Sequence, residues 1–252
     1  MLPGICCPTC ESEDVTRNGH THGGKQNHIC KLCGRNFVLN PKNKVVPEQV
    51  KKYIEKALLE RNSLHGIARI FELSMSWLMT FVNDFLERVP SDLNVWVPPR
   101  VTSERAGFPM LDLTCEADEL WSFVGGKKNK QWIWLVMERS TRMIIAYHVG
   151  GRTAEDAKIL WESIPEAFKS RGFFFTDFLA SYKCAIPSEQ HQAVGKESGQ
   201  TNHVERVNNT FRQRISRLVR SGLGFSKSLA NHISAIRYFI RHYNSRMIGK
   251  MQ

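Results

Sequence analysis

The chain has 252 residues, 42% of them apolar, and carries 35 Lys/Arg against 24 Asp/Glu for a formal net charge of +11. That is length enough for more than one domain, and no run reaches the roughly 18 apolar residues of a membrane span, so a membrane partner is not expected. Residues 206–252 hold ten Lys/Arg and not one acid, and charge gathered at one end points to a nucleic acid partner.

The N-terminal Met1-Leu2-Pro3-Gly4 lacks the basic start and apolar stretch of a signal peptide. A cytoplasmic, nucleoid-associated location is expected, where seven cysteines serve metal rather than disulfides. Cys7-Pro8-Thr9-Cys10 and Cys30-Lys31-Leu32-Cys33 each have the two-residue spacing that lets both thiolates grip one ion. Four sulfurs satisfy tetrahedral zinc. The 19 residues between the pairs suffice for two strands and a hairpin, so residues 1–45 read as a zinc ribbon. The ion is structural, because the segment has little apolar material of its own. Cys6 competes for the register, but only Cys7 is correctly spaced from Cys10. His20, His22 and His28 are alternative ligands, or loop residues and phosphate contacts.

Residues 46–89 have helical period. Val50, Tyr53, Ile54, Ala57 and Leu58 share one face. Asn62-Ser63 caps a second helix with Leu64, Ile67, Ala68 and Phe71 inward. The turn Glu72-Leu73-Ser74 leads to a third helix bearing Leu78, Phe81, Val82 and Phe85. Two short helices about such a turn form a helix-turn-helix pattern, although Glu72 occupies a turn position often held by Gly. Ser76, Thr80 and Asn83 lie on the outer side of the third helix as candidate DNA contacts; a plain helical bundle is the alternative. Pro90, Pro98, Pro99 and Pro109 break up residues 90–110, which read as a linker.

In residues 111–252, strands are predicted from Leu113 to Val124, Trp132 to Met137, Met143 to Val149 and Phe173 to Asp177, with a short fifth over Gln192-Ala193-Val194. A helix is predicted from Ala154 to Lys169 and another from Val204 to Val219. This order is that of an α/β, ribonuclease-H-like mixed-sheet core. Asp118 falls in the first strand, Asp177 closes the fourth, and Glu205 sits in the first turn of the last helix. Three such carboxylates can hold two magnesium or manganese ions about 3.5–4 Å apart. Glu116 shares the strand face of Asp118 and Glu119 points the other way; the alternative readings are surface charge for either of these, an edge residue for Asp118, a turn cap for Asp177 and a helix-start acid for Glu205.

These stretches together resemble the insertion-sequence-one family of DDE-type transposases. The resemblance rests on the paired cysteines with Arg17-Asn18-Gly19, on Asp118-Glu119-Leu120-Trp121-Ser122-Phe123-Val124-Gly125, Gly151-Arg152-Thr153 and Thr176-Asp177 with Tyr182, and on Glu205-Arg206-Val207-Asn208 and Phe225-Ser226-Lys227-Ser228. It implies catalytic roles for Asp118, Asp177 and Glu205, and for Arg212, two helical turns after Glu205. It implies cleavage at the terminal inverted repeats of an insertion sequence and joining of the freed 3′-hydroxyls to target DNA, by a homo-oligomer on double-stranded DNA. Arg206, Arg214, Arg217, Arg220 and Lys227 are the expected basic contacts. A DNA-binding regulator and a structure-selective nuclease are the alternatives. The family often encodes its DNA-binding and catalytic parts in separate reading frames, whereas here both lie in one chain. The 27 residues between Asp177 and Glu205 are also somewhat many for the family.

Overall fold

The structure, a computed structural model, describes residues 4–39, 45–99, 111–218 and 224–251. The chain divides into two compact units, Met1–Lys51 and Lys52–Gln252.

The first unit is built on three antiparallel strands in the order β1-β2-β3: β1 (Val15–His20), β2 (Gln26–Cys30) and β3 (Asn36–Val38). The first two form the expected hairpin, and Gly24 takes the positive φ of 75° that its turn requires. The third strand lies beyond the second cysteine pair and adds to what the sequence suggests. Cys7, Val15 and Cys30 are buried, with Ile5 and Phe37 packed against them. His28 is buried and stacks on Phe37 with ring centroids 5.6 Å apart.

The division between the units falls inside α1 (Glu48–Ala57). Of the expected apolar stripe Ile54 is buried and Val50, Ala57 and Leu58 are half-buried, but Tyr53 is exposed; it lies about 100° around the helix from Ile54. Helices α2 (Leu64–Ile70) and α3 (Met75–Glu87) begin at serine caps. Ser63 accepts from the Gly66 N–H at 3.0 Å and Ser74 from the Trp77 N–H at 3.3 Å. Between them Glu72 adopts the left-handed conformation, φ 52°, the strain that glycine relieves at such turns. Leu78, Val82 and Leu86 face inward. Residues 90–99 form no helix or strand. The remainder of the expected linker lies outside the described residues.

The core is a five-stranded sheet of β4 (Leu113–Phe123), β5 (Lys130–Glu138), β6 (Ile144–Gly150), β7 (Gly172–Thr176) and β8 (His191–Ala193), in the order β6-β5-β4-β7-β8. The first three pair antiparallel, while β7 runs parallel to β4 and to β8. This mixed sheet is consistent with a ribonuclease-H-like core. Its helices are α4 (Ala154–Ser163), α5 (Glu166–Lys169), α6 (Ala180–Lys183), α7 (Asn202–Arg214) and α8 (Leu229–Met251).

Because side chains alternate along a strand, the sheet feeds two apolar clusters. Leu120, Ile133 and Leu135 pack with Val204, Val207 and Phe211 of α7 and Phe239 of α8. Cys115, Ala117, Trp134 and Val136 pack with Ala157 and Leu160 of α4 and with Phe168 and Tyr182. Two expected helices are shorter than the sequence suggests. Pro165 divides the first, since the residue before a proline is driven out of the helical region and Ile164 has ψ 128°. The last ends at Arg214, whose carbonyl takes the Arg61 N–H at 2.6 Å; Ile215 turns to ψ 106° and both it and Leu218 are buried. Val219 lies outside the described residues. Among the described residues no helix is long and apolar enough to cross a membrane.

Candidate functional site

In the first unit one sulfur each from Cys7, Cys10, Cys30 and Cys33 lies within 4.8 Å of all the others. The Sγ–Sγ distances are 3.5 Å for Cys7–Cys33 and 3.6 Å for Cys10–Cys30. Thiolates 2.3 Å from a tetrahedral zinc stand about 3.8 Å apart, so the group has the right size and donor type for zinc. Burial opposes ionisation of Cys7, yet backbone hydrogen bonds at Thr9 and Cys10 and the thiols of Cys33 and Cys10 bring it down to about 6. At Cys10 a backbone hydrogen bond at Ser12 favours ionisation, but the other three thiols and desolvation push it up to about 12. Four crowded sulfurs do not ionise together without a cation among them. The histidines stand outside this group.

In the second unit, β4 and β7 run side by side and bring Asp118 and Asp177 to one place. One carboxylate oxygen each from Asp118, Glu119 and Asp177 lies within 4.8 Å of the other two. Glu119 is therefore no surface charge, even though its strand position opposes that of Asp118; it is buried. Arg152 Nε donates to Glu119 Oε1 at 2.8 Å and the Tyr182 hydroxyl donates to Oε2 at 3.0 Å. The Arg152 guanidinium lies 4.4 Å over the Trp132 ring. Its loop is fixed by Asp156, which takes the Gly151 N–H at 2.9 Å and closes a capping box with Thr153 at the start of α4. A Cβ at Gly151 would meet Asp156 Oδ2 at 2.8 Å, so a side chain there would displace the Asp156 carboxylate from this loop.

Asp177 also holds its own turn, accepting the Leu179 N–H at 2.9 Å. Asn208 Nδ2 donates to Asp118 Oδ2 at 2.7 Å. Burial, and then the charges of Glu119 and Asp177, push Asp118 up to about 7 against the hydrogen bonds from the Glu119 backbone and Asn208. The first cause acting on Glu119 is likewise burial, followed by the charge of Asp177. The group is thus costly while uncompensated. The buried Asn208 Oδ1 has no hydrogen-bond partner. Hard oxygen donors and an orphaned oxygen beside them fit magnesium or manganese better than zinc.

Glu205 is in the first turn of α7 as expected, where Thr201 Oγ1 donates to its Oε1 at 3.2 Å. It is not among the three carboxylates that meet within 4.8 Å. Asn208 stands one turn further along α7, on the Glu205 face, and Arg212 lies another turn on. Glu116, the other flanking acid, is fully buried under four hydrogen bonds, so it too is no surface charge.

The expected DNA contacts divide. Arg206, Lys227, Ser76 and Thr80 are exposed. Asn83 is exposed but its Oδ1 accepts from Asn231 at 2.9 Å. Arg214 pairs with Glu60 and lies 5.1 Å over Phe239. Arg217 is partly buried, and desolvation lowers its pKa. Arg220 lies outside the described residues. Sequence reasoning assigned no site role to Glu119, Arg152, Tyr182 and Asn208. All four stand in the stretches that carry the family resemblance, and that was the available signal.

Comparison with known proteins bears on what this site belongs to. The family model for IS1 transposase matches residues 112–245. The chain is 36% identical over 131 residues to the insertion element iso-IS1n protein InsB of Shigella dysenteriae, covering 52% of this chain and 96% of that protein. It is 32% identical over 130 residues to the insertion element IS1 protein InsB of Shigella flexneri, covering 51% and 95%. It is 30% identical over 148 residues to the insertion element IS1 2 protein InsB of Escherichia coli K12, covering 58% and 86%. The family model covers both aspartates and the segment that supplies Glu205, and the chain belongs to the IS1 transposase family.

Proposed function

We propose that this chain binds the terminal inverted repeats of an insertion sequence, cleaves DNA at the element's ends and joins the freed 3′-hydroxyls to target DNA. The observation that carries this reading is the meeting of Asp118 and Asp177 at neighbouring parallel strands, with α7 presenting Glu205 in its first turn. Asp118, Asp177 and Glu205 would hold magnesium or manganese, which supplies activation of the attacking oxygen and stabilisation of the leaving one. Asn208 holds the Asp118 carboxylate, and Arg152 with Tyr182 holds Glu119 as a further acid of the site. Arg212, on the Glu205 face of α7, is the basic residue for the transferring phosphate. Arg206 and Lys227 neutralise DNA strands. Cys7, Cys10, Cys30 and Cys33 would hold zinc and so fold a ribbon that, with the α2–α3 pair, reads the repeats; Ser76 and Thr80 are its candidate contacts. Assembly as a homo-oligomer on DNA, in the cytoplasm, completes the reading.

A labelled inverted-repeat end incubated with supercoiled plasmid and magnesium tests it. Joined product is expected. Binding without cutting would make the chain a regulator, and cutting without joining a nuclease.

A further inference from the structure

Glu116 lies two residues before Asp118 on the same face of β4, and its side chain is 0% exposed. Four donors saturate it. Oε1 receives Arg139 Nε at 2.7 Å and His203 Nδ1 at 2.6 Å; Oε2 receives the backbone N–H groups of His203 at 2.9 Å and Val204 at 3.0 Å. Those two amides are the second and third residues of α7, the N–H groups that a capping side chain ordinarily satisfies. The N-cap residue itself, Thr201, makes no such bond. Its hydroxyl goes instead to Glu205. Arg139 completes the tie, donating to Gln200 Oε1 at 2.7 Å and to the Gln200 carbonyl at 2.5 Å, immediately before Thr201.

We infer that Glu116 is a positioning residue for Glu205: a carboxylate on the strand caps α7 in place of Thr201, which leaves the Thr201 hydroxyl to orient the Glu205 carboxylate. The inference rests on the reading of Glu205 as a metal ligand. A carboxylate suits the place, since a helix start favours negative charge and a buried acid needs all its lone pairs engaged. With Asn208 bonded to Asp118 one turn beyond Glu205, α7 is pegged to β4 on both sides of Glu205, and both pegs are acids of one strand face.

The full chain carrying Glu116→Gln tests this. The amide nitrogen that replaces one oxygen accepts nothing, so part of the cap is lost. Manganese binding, followed by electron paramagnetic resonance, is expected to weaken on the order of tenfold, within the range for residues that orient metal ligands. Hydrogen exchange at the His203 and Val204 amides should accelerate while that of β5 is unchanged. Thr201→Val should weaken manganese binding without accelerating those amides. On a Glu205→Gln background, adding Glu116→Gln should change manganese affinity no further. Equal weakening on both backgrounds, or none on either, overturns the inference. If Glu116→Gln does not fold, Arg139→Gln is read the same way. A Glu205→Gln chain that binds manganese and cleaves like the parent would instead overturn the triad reading, leaving faster amide exchange to report the cap alone.

Discussion

Both units gather four or fewer acidic ligands within 4.8 Å, but the two groups stand in opposite relation to their surroundings. In the first unit, two of the three buried residues of the apolar cluster, Cys7 and Cys30, belong to the four-sulfur group itself. Little apolar core stands apart from the sulfurs. The carboxylates of the second unit lie beside two large apolar clusters that are filled without them, and their mutual repulsion works against the fold. A zinc at the cysteines would therefore serve the fold, and a magnesium at the carboxylates would serve the chemistry.

Loss of a zinc from the four cysteines should have the largest effect. Structural zinc contributes about 10–16 kcal/mol of folding free energy in small domains. Chelation or Cys30→Ser should therefore unfold residues 4–39 while the amide exchange of the sheet in the second unit stays as it was. One zinc per chain is expected by elemental analysis, and its absence from protein prepared without chelator refutes the first half of the contrast.

At the carboxylates the same operation should have the other sign. Asp118→Asn and Asp177→Asn remove repulsion, so the melting temperature measured without divalent ion should rise or hold. Cleavage and joining should fall on the order of a thousandfold, several kcal/mol at tenfold per 1.36, with end-binding intact. Glu119→Gln should fall less, on the order of 10- to 100-fold, because it leaves Arg152 with a weaker partner. Full activity in Glu119→Gln would return Glu119 to a purely structural role.

A third test asks what stabilises the second unit if not an ion. His232 is fully buried between Ser122 and Ser226, with its Nε2 and Nδ1 each 2.9 Å from a hydroxyl oxygen. Burial, and then Arg217, lower its pKa to about 4. The folded state holds the neutral ring while the unfolded chain binds a proton near pH 6.5. Stability from this group is therefore complete above pH 6.5 and lost as pH falls towards 4, by about 3 kcal/mol. Chemical denaturation across that window should show the loss, and His232→Asn should flatten it.

The smallest expected effect concerns the basic surface. Arg206→Gln and Lys227→Gln should each reduce the slope of log affinity against log salt by about 0.9. Arg214→Gln should leave the slope alone and lower stability, since its charge is engaged by Glu60.

Much of this was legible in the sequence. The paired cysteines, the alternation of β4 and the acid that follows β7 follow from spacing and period alone. The limits have physical causes. Period 2 assigns Glu119 to the face opposite Asp118 and says nothing of how far a side chain reaches at the end of β7. The helical period of residues 154–169 survives Pro165, which only backbone sterics divide. Net charge predicts a basic tail but cannot tell that Arg214 is spent on Glu60, 154 residues away. The burial of Glu116 is likewise invisible locally, because all its partners come from the turn after β5 and the start of α7.

The pairing of β4 with β7, Leu113 opposite Gly172, sets when this site comes into being. The strands between them close by local hairpin contacts, but Asp118 and Asp177 meet only through a parallel, long-range pairing of the kind that forms slowly. A chain emerging from the ribosome holds Asp118 in β4 well before β7 exists, and α7 arrives later still. Asp118 and Asp177 are thus never together on a nascent chain that stops short of β7, and a product interrupted there lacks the carboxylate group.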